Sequence, residues 1–86
     1  MKDKELKQSD IDRCMIPLIV VYDHPKDYPE FYAARLFDSN NPTRAVMISG
    51  DLDKLRADIE KNIDDAVFMR RAPRDDPKII GPYLIC

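Results

Sequence analysis

The sequence predicts a single α+β domain, in which a mostly antiparallel sheet of about four or five strands carries one amphipathic helix on one face. Short segments rich in β-branched and aromatic residues alternate with proline-containing loops, a pattern typical of strands. One stretch places its apolar residues at helical spacing. The chain has 86 residues, enough for one hydrophobic core. The predicted order of elements is β-β-β-α-β-β.

The first segment of the chain is dominated by charge. Residues 1–13 contain charges of alternating sign and little apolar content, so we expect a flexible tail that buries too little surface to order itself. A short helix beginning at Ser9, with Ile11 and Met15 on one face, is an alternative. The folded domain is then expected to span residues 14–86.

Residues 16–22 predict an interior strand, because apolar side chains occupy both of its faces. One face holds Ile16, Leu18, Val20 and Tyr22, and the other holds Ile19 and Val21. Pro17 cannot donate a hydrogen bond to a neighbouring strand, so we expect it at the beginning of this one.

The next two strands are predicted to pair as a hairpin. Residues 23–30 hold two prolines among polar residues, which predicts a loop. Residues 31–37 then alternate as a strand, with Arg35 in an otherwise apolar row. Residues 38–42 have the composition of a turn, and residues 43–49 form the third strand.

The helix is predicted to begin after Asp51, whose carboxylate suits an N-cap. Its apolar stripe consists of Leu52, Leu55, Ile59 and Ile63, so the helix should end near Asn62. The opposite face carries charged residues that can pair at three- and four-residue spacing.

Two further strands are predicted after the helix. Residues 66–71 form the first, with Val67 and Met69 facing away from Phe68. The last strand spans residues 78–80 and 83–85 and is broken at Gly81-Pro82, where the proline indicates an edge or a bulge. Because one helix covers only part of such a sheet, the second face should pack on the tail, on a loop or on another copy of the protein.

Composition and charge exclude several functional classes. The net charge of −2 lacks the positive excess of a nucleic-acid binder. The longest apolar run is too short to cross a membrane and no signal-peptide pattern precedes it, so we expect a soluble cytoplasmic protein. Cys14 and Cys86 lie far apart and are expected to be reduced and structurally incidental. The sequence predicts no metal site and no cofactor.

Two proline loops carry a resemblance to a known group of proteins. Residues 20–29 read Val-Val-Tyr-Asp-His-Pro-Lys-Asp-Tyr-Pro, residues 34–37 read Ala-Arg-Leu-Phe, and residues 71–77 read Arg-Ala-Pro-Arg-Asp-Asp-Pro. These motifs resemble a group of small uncharacterised proteins from bacteria and their phages, and the resemblance covers residues 16–84. It implies a phage or prophage setting, and it brings no activity with it.

The candidate binding residues lie in and around these two loops. Planar arginine side chains suit carboxylate or phosphate recognition, and an exposed tyrosine suits a protein interface. The candidates are Tyr28, Arg35, Arg71, Arg74 and His24. Internal pairing of Arg35 or Arg71 with Asp27, Asp75 or Asp76 is an equally good interpretation of the arginines. The expected structural residues of the loops are Pro25, Asp27, Pro29, Pro73, Asp75, Asp76 and Pro77.

Catalysis is the less favoured class of function. His24 is the single histidine, and beside Asp23 and Asp27 it could bind a metal or transfer protons, but a histidine next to proline in a loop more often hydrogen-bonds its own turn. The adjacent acids Asp64-Asp65 and Asp75-Asp76 are better explained as turn formers.

Three functions follow from these considerations, in order of preference. The first is a non-catalytic, self-associating interaction module that contacts a host protein through its two proline loops. The second is a sponge-like binder of an anionic small molecule, such as a nucleotide signal, held by Tyr28, Arg35, Arg71 and Arg74. The third is a small hydrolase that uses His24 and aspartates.

Overall fold

A computed structural model of the chain describes residues 3–69 and 78–85. Its elements in chain order are β1 (Lys4–Glu5), α1 (Gln8–Asp12), β2 (Pro17–Asp23), β3 (Tyr32–Asp38), β4 (Asn41–Ser49), α2 (Leu52–Asn62), β5 (Ala66–Phe68) and β6 (Ile79–Ile85). The strands form one sheet in the order β1-β4-β3-β2-β6-β5. The α+β class is therefore confirmed. In detail the described residues form a mixed sheet of six strands with two helices, where four or five strands and one helix were expected.

The three central strands form an antiparallel meander, as the sequence predicts. Pro17 begins β2, where its missing N–H group removes no bond from the interior of the ladder. The hairpin between β3 and β4 turns at Ser39 and Asn40, both of which have positive φ angles. Such angles are typical of the tight turn that matches the twist of a hairpin.

Helix α2 begins and ends as predicted. The Asp51 side chain accepts hydrogen bonds from the backbone N–H groups of Asp53 and Lys54, which caps the first turn. Leu55, Ile59 and Ile63 are fully buried against the sheet. The apolar stripe is thus the surface by which the helix covers one face of the sheet.

The last strand runs without a break, which corrects the predicted interruption at Gly81-Pro82. β6 lies between β2 and β5, so it is not an edge strand. The expected bulge is present next to Gly81: Val21 pairs with Gly81 and Tyr22 with Ile79, which leaves Ile80 without a partner in this ladder. A Cβ at Gly81 would lie 2.4 Å from the Met69 carbonyl oxygen and 2.9 Å from the Phe68 ring. Glycine is therefore needed here because β5 approaches too closely for any side chain.

Residues 3–13 pack on the sheet, whereas the sequence favoured a flexible tail over residues 1–13. β1 pairs in parallel with β4, and α1 occupies part of the region proposed for a helix beginning at Ser9. Leu6 and Ile11 belong to the core. The segment has few apolar residues, but these two reach the core while Lys4 forms an ion pair with Asp10.

The hydrophobic core lies between the two helices and one face of the sheet. We call this the covered face, and it includes Ile19, Val21, Leu36 and Tyr83 among its fully buried residues. The opposite face, here the second face, presents the alternate residues of the same strands and has no helix over it in the described part of the chain. No helix within residues 3–69 or 78–85 is long and apolar enough to cross a membrane.

Candidate functional site

The second face carries a partly buried polar group at its centre, built around Arg35. Between β3 and β4 the register shifts after Arg35, and Thr43 lies within this bulge. The Thr43 hydroxyl donates to the Leu36 carbonyl oxygen at 2.8 Å and accepts from the Ala45 N–H at 3.2 Å. The Thr43 carbonyl oxygen accepts a hydrogen bond from Arg35 Nη1 at 2.7 Å.

The guanidinium group of Arg35 binds two carboxylates. Nη1 and Nη2 donate to the two oxygens of Asp3 at 3.1 and 2.9 Å, and Nη2 also donates to Asp27 at 3.2 Å. The Tyr28 hydroxyl donates to the same Asp3 carboxylate at 2.6 Å. We call these four residues the Arg35 cluster: Asp3, Asp27, Tyr28 and Arg35. The two-pronged contact with Asp3 is the strong geometry for an arginine and a carboxylate.

The electrostatics of the Arg35 cluster follow from these contacts. Hydrogen bonds from Arg35 and Tyr28 lower the pKa of Asp3 to about 2, against the effect of burial. The hydrogen bond to Asp3 raises the pKa of Tyr28, and the same carboxylate raises the pKa of Arg35. The cluster therefore holds Asp3 as an anion and Arg35 as a cation.

The sequence grouped Tyr28 with Arg35 and offered, as an alternative, an internal pairing of Arg35 or Arg71 with Asp27, Asp75 or Asp76. In the structure Tyr28 and Arg35 line the same pocket, and Arg35 pairs with Asp27. Tyr28 was expected to be exposed, but it is half-buried because its hydroxyl reaches Asp3. Asp3 was missed altogether. It is one acid among many in a charged segment, and no pattern in the sequence links it to an arginine of β3.

The first proline loop, residues 24–30, leads Tyr28 to this position through two turns. The Tyr28 N–H donates to the Pro25 carbonyl oxygen at 3.0 Å, and the Phe31 N–H donates to the Tyr28 carbonyl oxygen at 3.1 Å. Pro25, Tyr28 and the side chains of β3 enclose a shallow pocket of about 260 Å³. The loop therefore lies over Arg35 and the adjoining part of β3 on the second face, while Pro29 lies in an exposed turn.

His24 makes its contacts with Asp23, Phe31 and Tyr32. Its backbone has a positive φ of 50° and its N–H donates to the Phe31 carbonyl oxygen at 3.1 Å, which closes the loop. Its Nδ1 atom contacts the Asp23 carboxylate, and its ring packs edge-on against Tyr32 at 4.9 Å between ring centres. These contacts are those of a residue that shapes the loop.

A second hollow, of about 500 Å³, lies along β1 and the adjoining end of β4. Its acidic border includes Asp3, Glu5 and Asp58. Asp3 is already bound by Arg35, and the described residues contain no group of three His, Cys, Asp or Glu side chains placed to hold a metal ion. The hollow offers no converging ligands for a metal.

Cys14 is a half-buried thiol beside α1. Its Sγ atom donates to the Asp10 carbonyl oxygen at 3.3 Å. Burial, followed by the nearby charges of Asp38 and Asp10, raises the pKa of this thiol. A raised pKa disfavours the thiolate, which is the reactive form of cysteine.

The part of the second face formed by β2, β6 and β5 is apolar and exposed. Leu18 pairs with Leu84, and Leu84 pairs with Val67, which places these three side chains in one row across β2, β6 and β5. The Ser39 N–H donates to the Ile16 carbonyl oxygen, so Ile16 lies next to this row, just before the start of β2. Ile16, Val67 and Leu84 are 65%, 47% and 42% exposed. We call these four residues the open patch: Ile16, Leu18, Val67 and Leu84.

The remaining candidates lie outside the described residues. These are Arg71 and Arg74 as binding residues and Pro73, Asp75, Asp76 and Pro77 as loop formers. Cys86 also lies outside them. Their predicted roles stay predictions.

Comparisons of the chain with protein-family models, with curated proteins and with solved structures find no match. The resemblance to the phage-associated group therefore stays a prediction.

Proposed function

We propose that this protein is a non-catalytic interaction module that acts through protein contacts on the second face of its sheet. The open patch is the observation that carries this proposal. It is a contiguous group of aliphatic side chains on a rigid sheet, bordered by the polar Arg35 cluster. An exposed apolar patch with a polar border is the usual signature of a protein-binding surface.

The energetics of the open patch favour a partner. Complete burial of a large aliphatic side chain stabilises by about 1.5–3 kcal/mol. Ile16, Val67 and Leu84 keep roughly half of their surface in water, so a protein that covers them gains on the order of 1 kcal/mol from each. Central, well-covered contacts of this kind dominate the affinity of most interfaces.

The polar residues near the second face are occupied by internal contacts, which supports binding over chemistry. Arg35 has Asp3, Asp27 and the Thr43 carbonyl oxygen as partners. His24 is held by Asp23 and Tyr32. Among residues 3–69 and 78–85, neither side chain hydrogen-bonds a serine, threonine or cysteine side chain with which it could form an activated pair.

The first proline loop is part of the proposed surface. Its ordered turns lie over Arg35 on the second face, so its outer residues form a border beside the open patch. We propose, with the phage resemblance, that a host protein contacts this border and the second proline loop. The sponge-like binding of an anion receives less support, because Arg35 would have to release Asp3 before it could bind an external anion.

Site-specific photocrosslinking tests the proposed function. A photoreactive p-benzoylphenylalanine replaces Leu84 in one variant and Ile48 in a matched control, since the two side chains have nearly equal exposure of 42% and 41%. Both lie on the second face, but Ile48 lies on β4, on the other side of the face from the open patch. In the producing cells we expect intermolecular adducts from position 84 and few from position 48.

The outcome separates the proposal from its alternatives. Adducts that form equally at both positions would show that the open patch has no special role. The absence of any adduct at position 84 would reject the proposed function.

A further inference from the structure

We propose that the pocket beside Arg35 receives a proline-containing segment of the partner protein, bound in the extended polyproline II conformation. The pocket has a volume of about 260 Å³, and most of its wall consists of side-chain rings: Tyr22, Pro25, Tyr28, Phe37 and Pro42. We call it the ring pocket. This inference rests on the proposed function, because it states the chemistry that the interaction module recognises in its partner.

The ring pocket adjoins the open patch. Phe37, in its wall, pairs with Leu18 of the open patch across β3 and β2. Residues that pair directly have neighbouring side chains on the same face of a sheet, so a partner that covers the open patch also reaches the ring pocket. The pocket is smaller than the roughly 300–1,000 Å³ of small-molecule sites. It therefore suits one or two side chains of a larger ligand.

The wall of the ring pocket suits proline. Proline-rich segments bind in grooves lined by aromatic residues, and their preformed conformation loses little entropy on binding. The part of the wall that the first proline loop supplies is itself preformed. The Tyr28 N–H donates to the Pro25 carbonyl oxygen, and the Tyr28 hydroxyl donates to Asp3. Both rings are therefore in place before a ligand arrives, which lowers the entropic cost of binding.

Arg35 supplies a hydrogen-bond donor for the backbone of the ligand. A polyproline II helix has no internal hydrogen bonds, so its carbonyl oxygens accept from outside donors. The Nη1 and Nη2 groups of Arg35 donate to Asp3, Asp27 and the Thr43 carbonyl oxygen. The fifth N–H, on Nε, has no partner among residues 3–69 and 78–85. In the same part of the chain no side-chain nitrogen is both buried and unbonded, so this N–H is accessible.

The charges at the ring pocket favour a basic residue next to the proline. Asp3 and Asp27 both bind Arg35, so two negative charges face one positive charge and an anionic ligand is disfavoured. Asp27 is 67% exposed, which places it at the mouth of the pocket. Its Oδ2 atom accepts from Arg35, and its Oδ1 atom is left to accept from a lysine or arginine of the ligand. The expected ligand is therefore a proline-rich segment that carries a basic residue.

Titration of the full chain with synthetic peptides, followed by amide chemical shifts, tests the inference. The probe is a proline-rich peptide with one arginine, and two control peptides replace either its prolines or its arginine by alanine. The probe should bind with a dissociation constant of roughly 10 µM to 1 mM and shift the signals of residues 26–28 and 33–37. The peptide without prolines should bind at least roughly tenfold more weakly, and the one without arginine about threefold more weakly.

Variants of the protein locate the binding site. Phe37→Ala removes part of the wall and should weaken binding of the probe at least roughly tenfold. Phe31→Ala is the matched control, because Phe31 does not line the ring pocket. Asp27→Asn keeps the shape of the pocket and should abolish the preference for the arginine without changing the binding of the arginine-free peptide. Circular dichroism shows whether Phe37→Ala folds, and Pro25→Ala replaces it if it does not.

Failure of the probe to bind, equal binding of the peptide without prolines, or shifts that lie away from the ring pocket would overturn the inference. Crosslinked adducts from position 84 without peptide binding reject the proline segment but leave the proposed function standing. Peptide binding without such adducts supports the ring pocket and rejects the open patch as the contact surface.

Discussion

The two faces of the sheet are made by alternate residues of the same strands, yet the side chains of one face are buried and many of the other are exposed. In β6 the Tyr83 side chain is fully buried beneath α2, while its neighbour Leu84 is 42% exposed on the second face. Both faces have apolar residues, which in the sequence alone indicates that both are buried. Apolar alternation in the sequence therefore shows which side chains of a strand could be buried. Whether they are buried depends on whether a helix or loop packs over that face of the sheet.

Each face also contains one group of a tyrosine, an arginine and a carboxylate. On the covered face Arg56 donates to the Tyr83 hydroxyl at 3.3 Å, and this hydroxyl donates to Glu60 at 2.9 Å. The guanidinium group also lies 4.2 Å from the centre of the Phe68 ring. This group fastens α2 to the sheet, whereas the Arg35 cluster fastens the first segment and the first proline loop to the second face.

The largest expected difference between the faces is in packing. Ile59→Ala removes a fully buried side chain from the covered face and should lower the free energy of unfolding by about 2–5 kcal/mol. Leu84→Ala is the counterpart on the second face and should cost about 1 kcal/mol or less, because it leaves no closed cavity. Urea unfolding followed by circular dichroism measures both. Equal losses would show that the second face is as well covered as the first.

The close approach of β5 and β6 gives the second prediction. Gly81→Ala should destabilise by about 1–3 kcal/mol, because the added methyl group collides with the Met69 carbonyl oxygen and the Phe68 ring. Gly50→Ala is the control, since a Cβ there meets nothing within 4 Å. It should change the stability by less than about 1 kcal/mol. If both substitutions are neutral in thermal unfolding, the strands are not packed this closely.

The Arg35 cluster gives the third prediction, which concerns pH. Asp3 has a pKa lowered from 3.8 to about 2 in the folded protein, so its ionised form stabilises the fold by up to about 2 kcal/mol. This contribution is present in full above the unfolded pKa and is lost as the pH falls from about 4 towards 2.

Asp3→Asn isolates this effect, because all other groups titrate in both proteins. The difference in unfolding free energy between the wild type and Asp3→Asn should be constant from neutral pH down to about 5 and shrink below about 4. A difference that does not change with pH would show that Arg35 does not hold the Asp3 carboxylate.

The smallest effects compare the two tyrosines. Tyr28→Phe and Tyr83→Phe each remove a hydroxyl that donates to a carboxylate, and each should cost about 1 kcal/mol. In a double-mutant cycle, Tyr28→Phe should couple with Asp3→Asn, whereas Tyr83→Phe should add to it independently. Coupling between Tyr83 and Asp3 would mean that the two faces do not behave as separate units.

The elements with strong local signals were predictable from the sequence. The strands β2, β3 and β4 and the helix α2 have apolar periodicity, turn residues and a capping aspartate, and the structure contains them within about two residues of the predicted bounds. The unbroken course of β6 was not predictable, because the close neighbours of Gly81 are the Phe68 ring of β5 and the carbonyl oxygen of Met69, which follows β5.

A short helix near Ser9 was one alternative for the first segment, but the attachment of this segment to the sheet was not predicted, for a different reason. β1 and α1 are short, and their attachment depends on two apolar residues, Leu6 and Ile11, within a charged stretch. The partner of Arg35 was equally hidden, because Asp3 and Arg35 meet through the fold and not through any spacing in the chain. Residue types indicated an arginine with an acidic partner, and only the three-dimensional arrangement selects which acid binds.

The parallel pairing of β1 with β4 also limits when this contact can form during folding. Lys4 and Glu5 pair with Ala45 and Val46, and Asp3 binds Arg35, so residues 3–5 are synthesised before their docking site and have none until most of the meander has emerged. Contacts that close such long loops form late in folding. Until they form, the outer edge of β4 has no neighbouring strand, and an open edge of this kind can pair with another chain. Crowded nascent chains would therefore be most prone to aggregation during this interval.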